Sequence, residues 1–149
     1  MRPLLLAALL CLAPAGRAQT PEDLRLLQVV VQDADGFMKT HTLADLVKRS
    51  RAWNREAEAK KEHKYVVNAI ALIVFGHLLD RQVNKTLNSR LHPYFSHYHM
   101  RITRLVALTA FHTEAERSAL VRFIISNVAL EVKRTWGGRR AKGVRAPAK

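Results

Sequence analysis

One continuous apolar run dominates the hydrophobic pattern of the chain: residues 65–79, YVVNAIALIVFGHLL. As a helix it would be about 22 Å long, short of the roughly 30 Å hydrocarbon core of a bilayer. Charged residues bound the run on both sides, and Asn68 and His77 inside it would need polar partners in lipid. A helix that is apolar on nearly every side belongs at the centre of a bundle. The run therefore predicts a central core helix, and membrane insertion of residues 65–79 is the alternative.

Six positions in and beside this run follow alternating steps of four and three, the spacing of residues that face another helix. They are Tyr65, Ala69, Leu72, Gly76, Leu79 and Val83. The small Ala69 and Gly76 would allow a neighbouring helix to approach closely. If that neighbour belongs to the same chain, the six positions are core. If it belongs to a second copy, they are an oligomer interface.

The polar residues before the run predict further helices. Thr20 is followed by a proline and two carboxylates, which favour a helix start, and the apolar pattern continues to Ala34. Gly36 is expected to close this first helix with a positive φ.

A second helix is predicted to begin at Thr42, with Asp45 three residues later. Residues 54–91 contain no proline, so one very long helix, or two helices with a kink near residues 50–54, is the natural interpretation. Pro93 is expected to end it.

The remaining pattern predicts a connector and two more helices. Residues 92–99, HPYFSHYH, form a short aromatic connector that lies over the end of the bundle. The third helix carries apolar residues at Ile102, Leu105, Val106, Leu108 and Phe111. Thr113 and Glu116 then form a capping box. It opens a helix with apolar residues at Val121, Ile124, Ile125, Val128, Val132 and Trp136, which Gly137 ends. Residues 19–136 are therefore predicted to form an all-α bundle of four to five helices.

The N-terminal residues have the three parts of a secretory signal peptide: a basic start at Arg2, an apolar run, and small residues before a cleavage point between Ala18 and Gln19. Cleavage would remove residues 1–18, including Cys11, the single cysteine of the chain. The exported domain would then have no disulfide and no thiol chemistry. The absence of disulfides in a chain of this length favours a bacterial periplasmic or secreted protein.

Positive charge is the strongest compositional feature. The formal net charge is +13, and it falls to +11 once the leader with its two arginines is removed. Residues 137–149 are predicted to be a flexible tail that contacts polyanions through Arg139, Arg140, Lys142, Arg145 and Lys149. A second basic cluster surrounds Trp53 and comprises Lys48, Arg49, Arg51, Arg55, Lys60, Lys61 and Lys64. Such charge suits anionic lipid or another polyanion, whereas an exported protein rarely meets nucleic acid.

Candidate chemistry is sparse. His92, His97 and His99 crowd the aromatic connector and are weak candidates for a metal site, which His112 would help to complete. Residues 33–44 resemble a calcium-binding loop only superficially, because the ligand spacing fails, and they are interpreted as a helix end and turn. No nucleophile elbow, phosphate-binding loop, dinucleotide fingerprint or zinc-protease motif is present. The chain is therefore predicted to be non-enzymatic and to need no cofactor.

Three functional hypotheses follow. The first is an exported helical interaction or assembly protein of the bacterial envelope that binds a partner protein or itself. The second is a membrane-associated protein in which residues 65–79 insert and the basic flanks hold anionic lipid. The third is a histidine-ligated metal protein.

Overall fold

The computed structural model describes residues 20–83, 93–108 and 113–136. These residues form helices and contain no strand, so the fold is all-α as predicted. The helices are α1 (Pro21–Met38), α2 (Leu43–Lys60), α3 (His63–Val83), α4 (Pro93–Ser96), α5 (Tyr98–Val106) and α6 (Glu114–Trp136). The predicted leader, residues 1–18, and the predicted tail, residues 137–149, lie outside the described residues.

Helix α3 contains the apolar run and occupies the middle of the bundle, where it packs against each of the other helices. Val66, Val67 and residues 69–75 are all buried, with at most 1% of each side chain exposed. Burying one large aliphatic or aromatic side chain stabilises a fold by about 1.5–3 kcal/mol, so this helix supplies much of the stability. None of the helices within residues 20–83, 93–108 and 113–136 combines the length and the apolar character that a membrane span requires.

Three helices begin with the same capping device. At α1 the Thr20 hydroxyl accepts a hydrogen bond from the Asp23 amide at 3.1 Å, and the Asp23 carboxylate accepts one from the Thr20 amide. Thr42 and Asp45 repeat the arrangement at α2. At α6 it recurs between Thr113 and Glu116, which confirms the predicted capping box there.

The end of α1 differs from the prediction. The helix continues through Gly36 to Met38, and no described glycine has a positive φ. Met38 is 2% exposed, so the extra turn carries one more apolar side chain into the core. The helix then ends in a turn in which Phe37 accepts hydrogen bonds from the amides of Thr40 and His41.

The break between α2 and α3 also lies elsewhere than predicted. It falls at Lys61, which has φ 55° and ψ 20°, and not near residues 50–54. The helix has to persist through residues 50–54 because Ser50 is buried and, with Asn54, meets the hydroxyl of Tyr94. A lysine in the left-handed region costs about 1–2 kcal/mol and has no sequence signature.

The predicted aromatic connector is part of the core rather than a layer over it. Tyr94 and Phe95 lie on α4 and are 5% and 0% exposed. The Phe95 ring fits against the bare backbone of Gly76, the one place where a ring can enter α3 so closely. Of the predicted connector residues that the structure describes, His97 and His99 are exposed.

Helices α1, α2 and α6 are also joined by polar contacts between their side chains. The Trp136 indole N–H donates to Asp35 at 2.5 Å, and Arg49 pairs with Asp33 at 2.6 Å. Both carboxylates belong to the stretch that superficially resembles a calcium loop. Each has a protein partner, in keeping with its interpretation as a helix end.

Candidate functional site

A groove of about 450 Å³ runs between α5 and α6. Ile102 and Val106 from α5 face Val121 and Ile125 from α6 across it. Ile102 and Val106 are four residues apart, and so are Val121 and Ile125. Each helix therefore contributes two successive turns to the floor of the groove. Val121 and Ile125 are only half-buried, although they belong to the apolar stripe predicted as core. The other described helices therefore leave part of the apolar stripe on α6 uncovered.

The rim of the groove is polar and mainly basic. Arg117 and Arg122 stand on α6 and His99 on α5, with Glu114 as the acidic member. Arg122 is exposed, whereas Arg117 is partly buried. An apolar floor with a few charged groups at its edge is a typical ligand or peptide site, and its volume lies within the roughly 300–1,000 Å³ that such sites have.

A polar cluster surrounds Tyr94 of α4, between α2 and α5. The Tyr94 hydroxyl accepts hydrogen bonds from Ser50 Oγ at 3.2 Å and from the Asn54 amide. Burial raises the pKa of Tyr94 above its usual value of about 10, although the hydrogen bond from Ser50 opposes the shift. The phenol is therefore neutral at physiological pH, and two residues of α2 hold its hydroxyl in place.

Two arginines lie against the Tyr94 ring. The guanidinium carbon of Arg101 is 4.0 Å from the ring centroid and that of Arg51 is 5.4 Å from it. Arg101 also donates through one nitrogen to the backbone carbonyls of Tyr94 at 2.8 Å and His97 at 3.2 Å. Contacts of this kind restrict the rotation of a long side chain.

Two of the histidines of the candidate metal site, His97 and His99, belong to the described residues, and His112 does not. His97 and His99 are exposed, and His92 lies outside the described residues. Across residues 20–83, 93–108 and 113–136, no group of three or more His, Cys, Asp or Glu side chains is placed to hold a metal ion.

His77, on the central helix, is half-buried beneath α5. Its Nδ1 lies 3.0 Å from the Phe95 carbonyl, and its ring stacks on that of Tyr98 with centroids 4.0 Å apart. Burial lowers the pKa of His77 below 6.5. The neutral ring then donates its Nδ1–H to the carbonyl. His77 thus has a polar partner within the bundle.

Four of the six predicted helix-packing positions are buried within the bundle. Ala69, Leu72, Gly76 and Leu79 are buried by the surrounding helices, and Tyr65 is half-buried. The side chain of Val83 is outside what the structure describes. A second copy could reach the four buried residues only if the bundle opened.

The predicted tail residues Arg139, Arg140, Lys142, Arg145 and Lys149 lie outside the described residues. The second basic cluster is described, and most of its members have acidic partners. Lys48, Arg49, Lys60 and Lys64 pair with Asp45, Asp33, Glu56 and Glu62. Arg51 and Arg55 have no carboxylate partner among the described residues.

Comparison with protein-family models, curated proteins and solved structures finds no match to this chain. The sequence did not identify either the groove or the Tyr94 cluster. Arg51 stood out as one of seven basic residues, but nothing in the pattern connects it to Tyr94 or Arg101, more than 40 positions away. The half-exposed Val121 and Ile125 follow the same spacing as the buried residues beside them.

Proposed function

We propose that this chain is a non-enzymatic, exported helical interaction protein of the bacterial envelope, which binds a partner protein through the groove between α5 and α6. The observation that carries the proposal is the row of half-buried apolar residues on α6, Val121 and Ile125, opposite Ile102 and Val106. Two facing pairs of apolar residues at helical spacing match the way an amphipathic helix lies in a groove.

Charge favours an acidic partner. The rim has two arginines, Arg117 and Arg122, against the single carboxylate of Glu114, and the exported chain would carry +11. Complementary charge speeds association and excludes partners of the same sign. The occupant we propose is therefore a segment of another protein with an apolar face and acidic flanks. A second copy of this strongly basic chain would bring like charges together.

The alternative in which residues 65–79 enter a membrane would require a large rearrangement. Residues 69–75 are covered by the chain's own helices, and insertion would expose the apolar faces of every helix that now packs on α3. The groove offers a binding surface without any such opening.

Introducing a charged side chain into the groove tests the proposal. Ile125→Glu places a carboxylate on the floor and should abolish co-purification of the native partner. Leu130→Glu is the matched control, because Leu130 lies on the same helix, is 65% exposed and does not line the groove. Equal loss of the partner in both variants, with both still folded by circular dichroism, would refute the groove as the binding site.

Export is tested by the mass of the protein recovered from cells. Cleavage of the leader after Ala18 would leave Gln19 at the N-terminus, directly before the Thr20 cap of α1. We expect an intact mass that corresponds to residues 19–149 in the periplasmic or extracellular fraction. Recovery of the protein in the cytoplasm with residues 1–18 attached would contradict export.

A further inference from the structure

We propose that Arg51 and Arg101, held against the ring of Tyr94, form a binding site for phosphate groups, and that the phosphate belongs to the headgroup of an anionic phospholipid. The site lies between α2 and α5 and is separate from the groove between α5 and α6. It involves none of the residues through which we propose that a partner protein binds, and it does not depend on that proposal.

The first argument is the geometry of the two guanidinium groups. Their carbons lie 4.0 and 5.4 Å from the same ring centroid, so they are at most about 9 Å apart. A phosphate that accepts charge-assisted hydrogen bonds of about 2.8 Å from two guanidinium groups holds their carbons roughly 8 Å apart. This upper bound is compatible with a single phosphate that contacts both guanidinium groups.

The second argument is preorganisation. Arg101 uses a single nitrogen, Nη1, for its bonds to the carbonyls of Tyr94 and His97. Its other N–H groups have no partner in the described residues. The ring beneath it is fixed by Ser50 and Asn54 through the hydroxyl. A planar fork that is already immobilised loses little entropy when it binds a phosphate.

The third argument is uncompensated charge. Neither Arg51 nor Arg101 has a carboxylate within 4.0 Å in the part of the chain that the structure describes, and the same holds for Arg55, one turn along α2 from Arg51. Glu58, the acid on the same side of α2, is paired with Arg104 at 3.1 Å. The local charge is therefore positive, and the nearby acid does not neutralise it.

A lipid headgroup fits better than a free phosphate ion because the site is part of an extended basic surface. Arg51 and Arg55 are exposed on successive turns of α2, and Lys48 lies one turn before them. Each basic residue close to an anionic membrane surface adds to the attraction. Neighbouring headgroups would meet these flanking cations while one phosphate occupies the arginine pair.

The test compares variants of the full chain for binding to vesicles of phosphatidylglycerol, vesicles of phosphatidylcholine, and inorganic phosphate. Arg51→Gln with Arg101→Gln should lower affinity for phosphatidylglycerol vesicles at least tenfold and abolish the arginine N–H chemical-shift changes that phosphate causes in NMR spectra. Arg25→Gln with Lys133→Gln removes the same charge from exposed positions on α1 and α6 and should lower affinity less than threefold. Arg51→Lys with Arg101→Lys keeps the charge but not the fork, and should recover less than half of the lost affinity.

Three results would overturn the proposal. Equal losses in the glutamine pair and its control would show that only overall charge matters. Full recovery with the lysine pair would remove the role of the planar fork. Binding of inorganic phosphate at the arginine pair without preference for phosphatidylglycerol over phosphatidylcholine would refute the lipid headgroup as the source of the phosphate.

Discussion

The Phe95 ring occupies the space that a side chain at residue 76 would need. A Cβ on Gly76 would lie less than 3.0 Å from three carbons of that ring. The contact fixes α4 on the central helix and brings Tyr94 to the position where Arg51 and Arg101 meet it. The glycine of the apolar run thus determines where the α4 segment packs.

Gly76→Ala should therefore destabilise the fold by about 1–3 kcal/mol, because a buried aromatic ring must move to admit the new methyl group. Urea unfolding of the purified variant measures the loss. Gly36→Ala is the matched control, since Gly36 is also helical, has no atom within 4 Å of the added Cβ and does not have a positive φ. That variant should gain about 0.5–1 kcal/mol from the higher helix propensity of alanine. Equal changes in the free energy of unfolding for both substitutions would contradict the packing of Phe95 on Gly76.

The capping boxes of α1 and α2 differ in one tertiary contact, which can be measured. Asp23 is 3% exposed and its second oxygen lies 2.9 Å from His63 Nε2, whereas Asp45 serves its cap and one exposed lysine. Asp23→Ala removes a capping contact worth about 1 kcal/mol and a part-buried hydrogen bond worth about 0.5–1.5 kcal/mol, so it should cost roughly 1.5–2.5 kcal/mol. Asp45→Ala should cost clearly less in the same unfolding experiment. Equal losses would mean that the contact with His63 contributes nothing.

His77 should make the fold sensitive to mild acid. Burial lowers the pKa of His77 in the folded state below 6.5, and the hydrogen bond to the Phe95 carbonyl only partly opposes this shift. Arg81 and His99 lower the pKa further, while Asp80 raises it. The unfolded chain then binds more protons than the folded one, so stability is lost as pH falls below about 6.5 towards the lowered pKa. His77→Gln should show a smaller loss between pH 7.5 and 5.0 than the parent protein. His97→Gln, on an exposed site, should lose as much as the parent; a parent with no more loss than His77→Gln would contradict the assignment.

Burial of Asp35 should give the opposite pH dependence. Desolvation by burial raises the pKa of Asp35, and the hydrogen bond from the Trp136 indole only partly offsets that effect. The folded state therefore binds more protons than the unfolded state, and this carboxyl group lowers stability as pH rises through its raised pKa. Asp35→Asn keeps an acceptor for the indole, so it should be more stable than the parent at pH 7, with the gain shrinking in acid. Trp136→Phe should instead lose about 0.5–1.5 kcal/mol because it removes one of the hydrogen bonds to the half-buried Asp35 carboxylate, while that from Thr135 remains.

Sequence reasoning worked where the physics is local. The helix starts predicted at Thr20 and Thr42 and the capping box predicted at Thr113 rest on residues at most three apart, and all three helices begin there. The apolar run of residues 65–79 had too few polar positions to face water, and it lies in the core. These features depend on neighbours along one helix, which a single sequence contains.

Sequence reasoning failed where the local structure depends on a residue far away in the chain. Ser50 and Asn54 look like a place for a kink, yet Tyr94 requires both of them on one continuous helix. The sequence predicts that Phe95 lies in a connector over the end of the bundle. Its ring is buried instead, because it fills the space beside Gly76. The half-exposure of Ile125 depends on how far α5 extends along α6, which no pattern within α6 can specify.

The central claim is that a partner segment occupies the groove between α5 and α6, and site-specific photo-crosslinking in the cell tests it most directly. A photoreactive residue at position 118 would lie in the groove, and one at position 126 would lie on the same helix outside it, replacing Ser118 and Ser126. The account predicts a crosslink from position 118 to a peptide of another protein with apolar residues at spacings of three and four and acidic flanks, and none from position 126. Crosslinks from position 118 to a second copy of this chain, or equal yields at both positions, would contradict it.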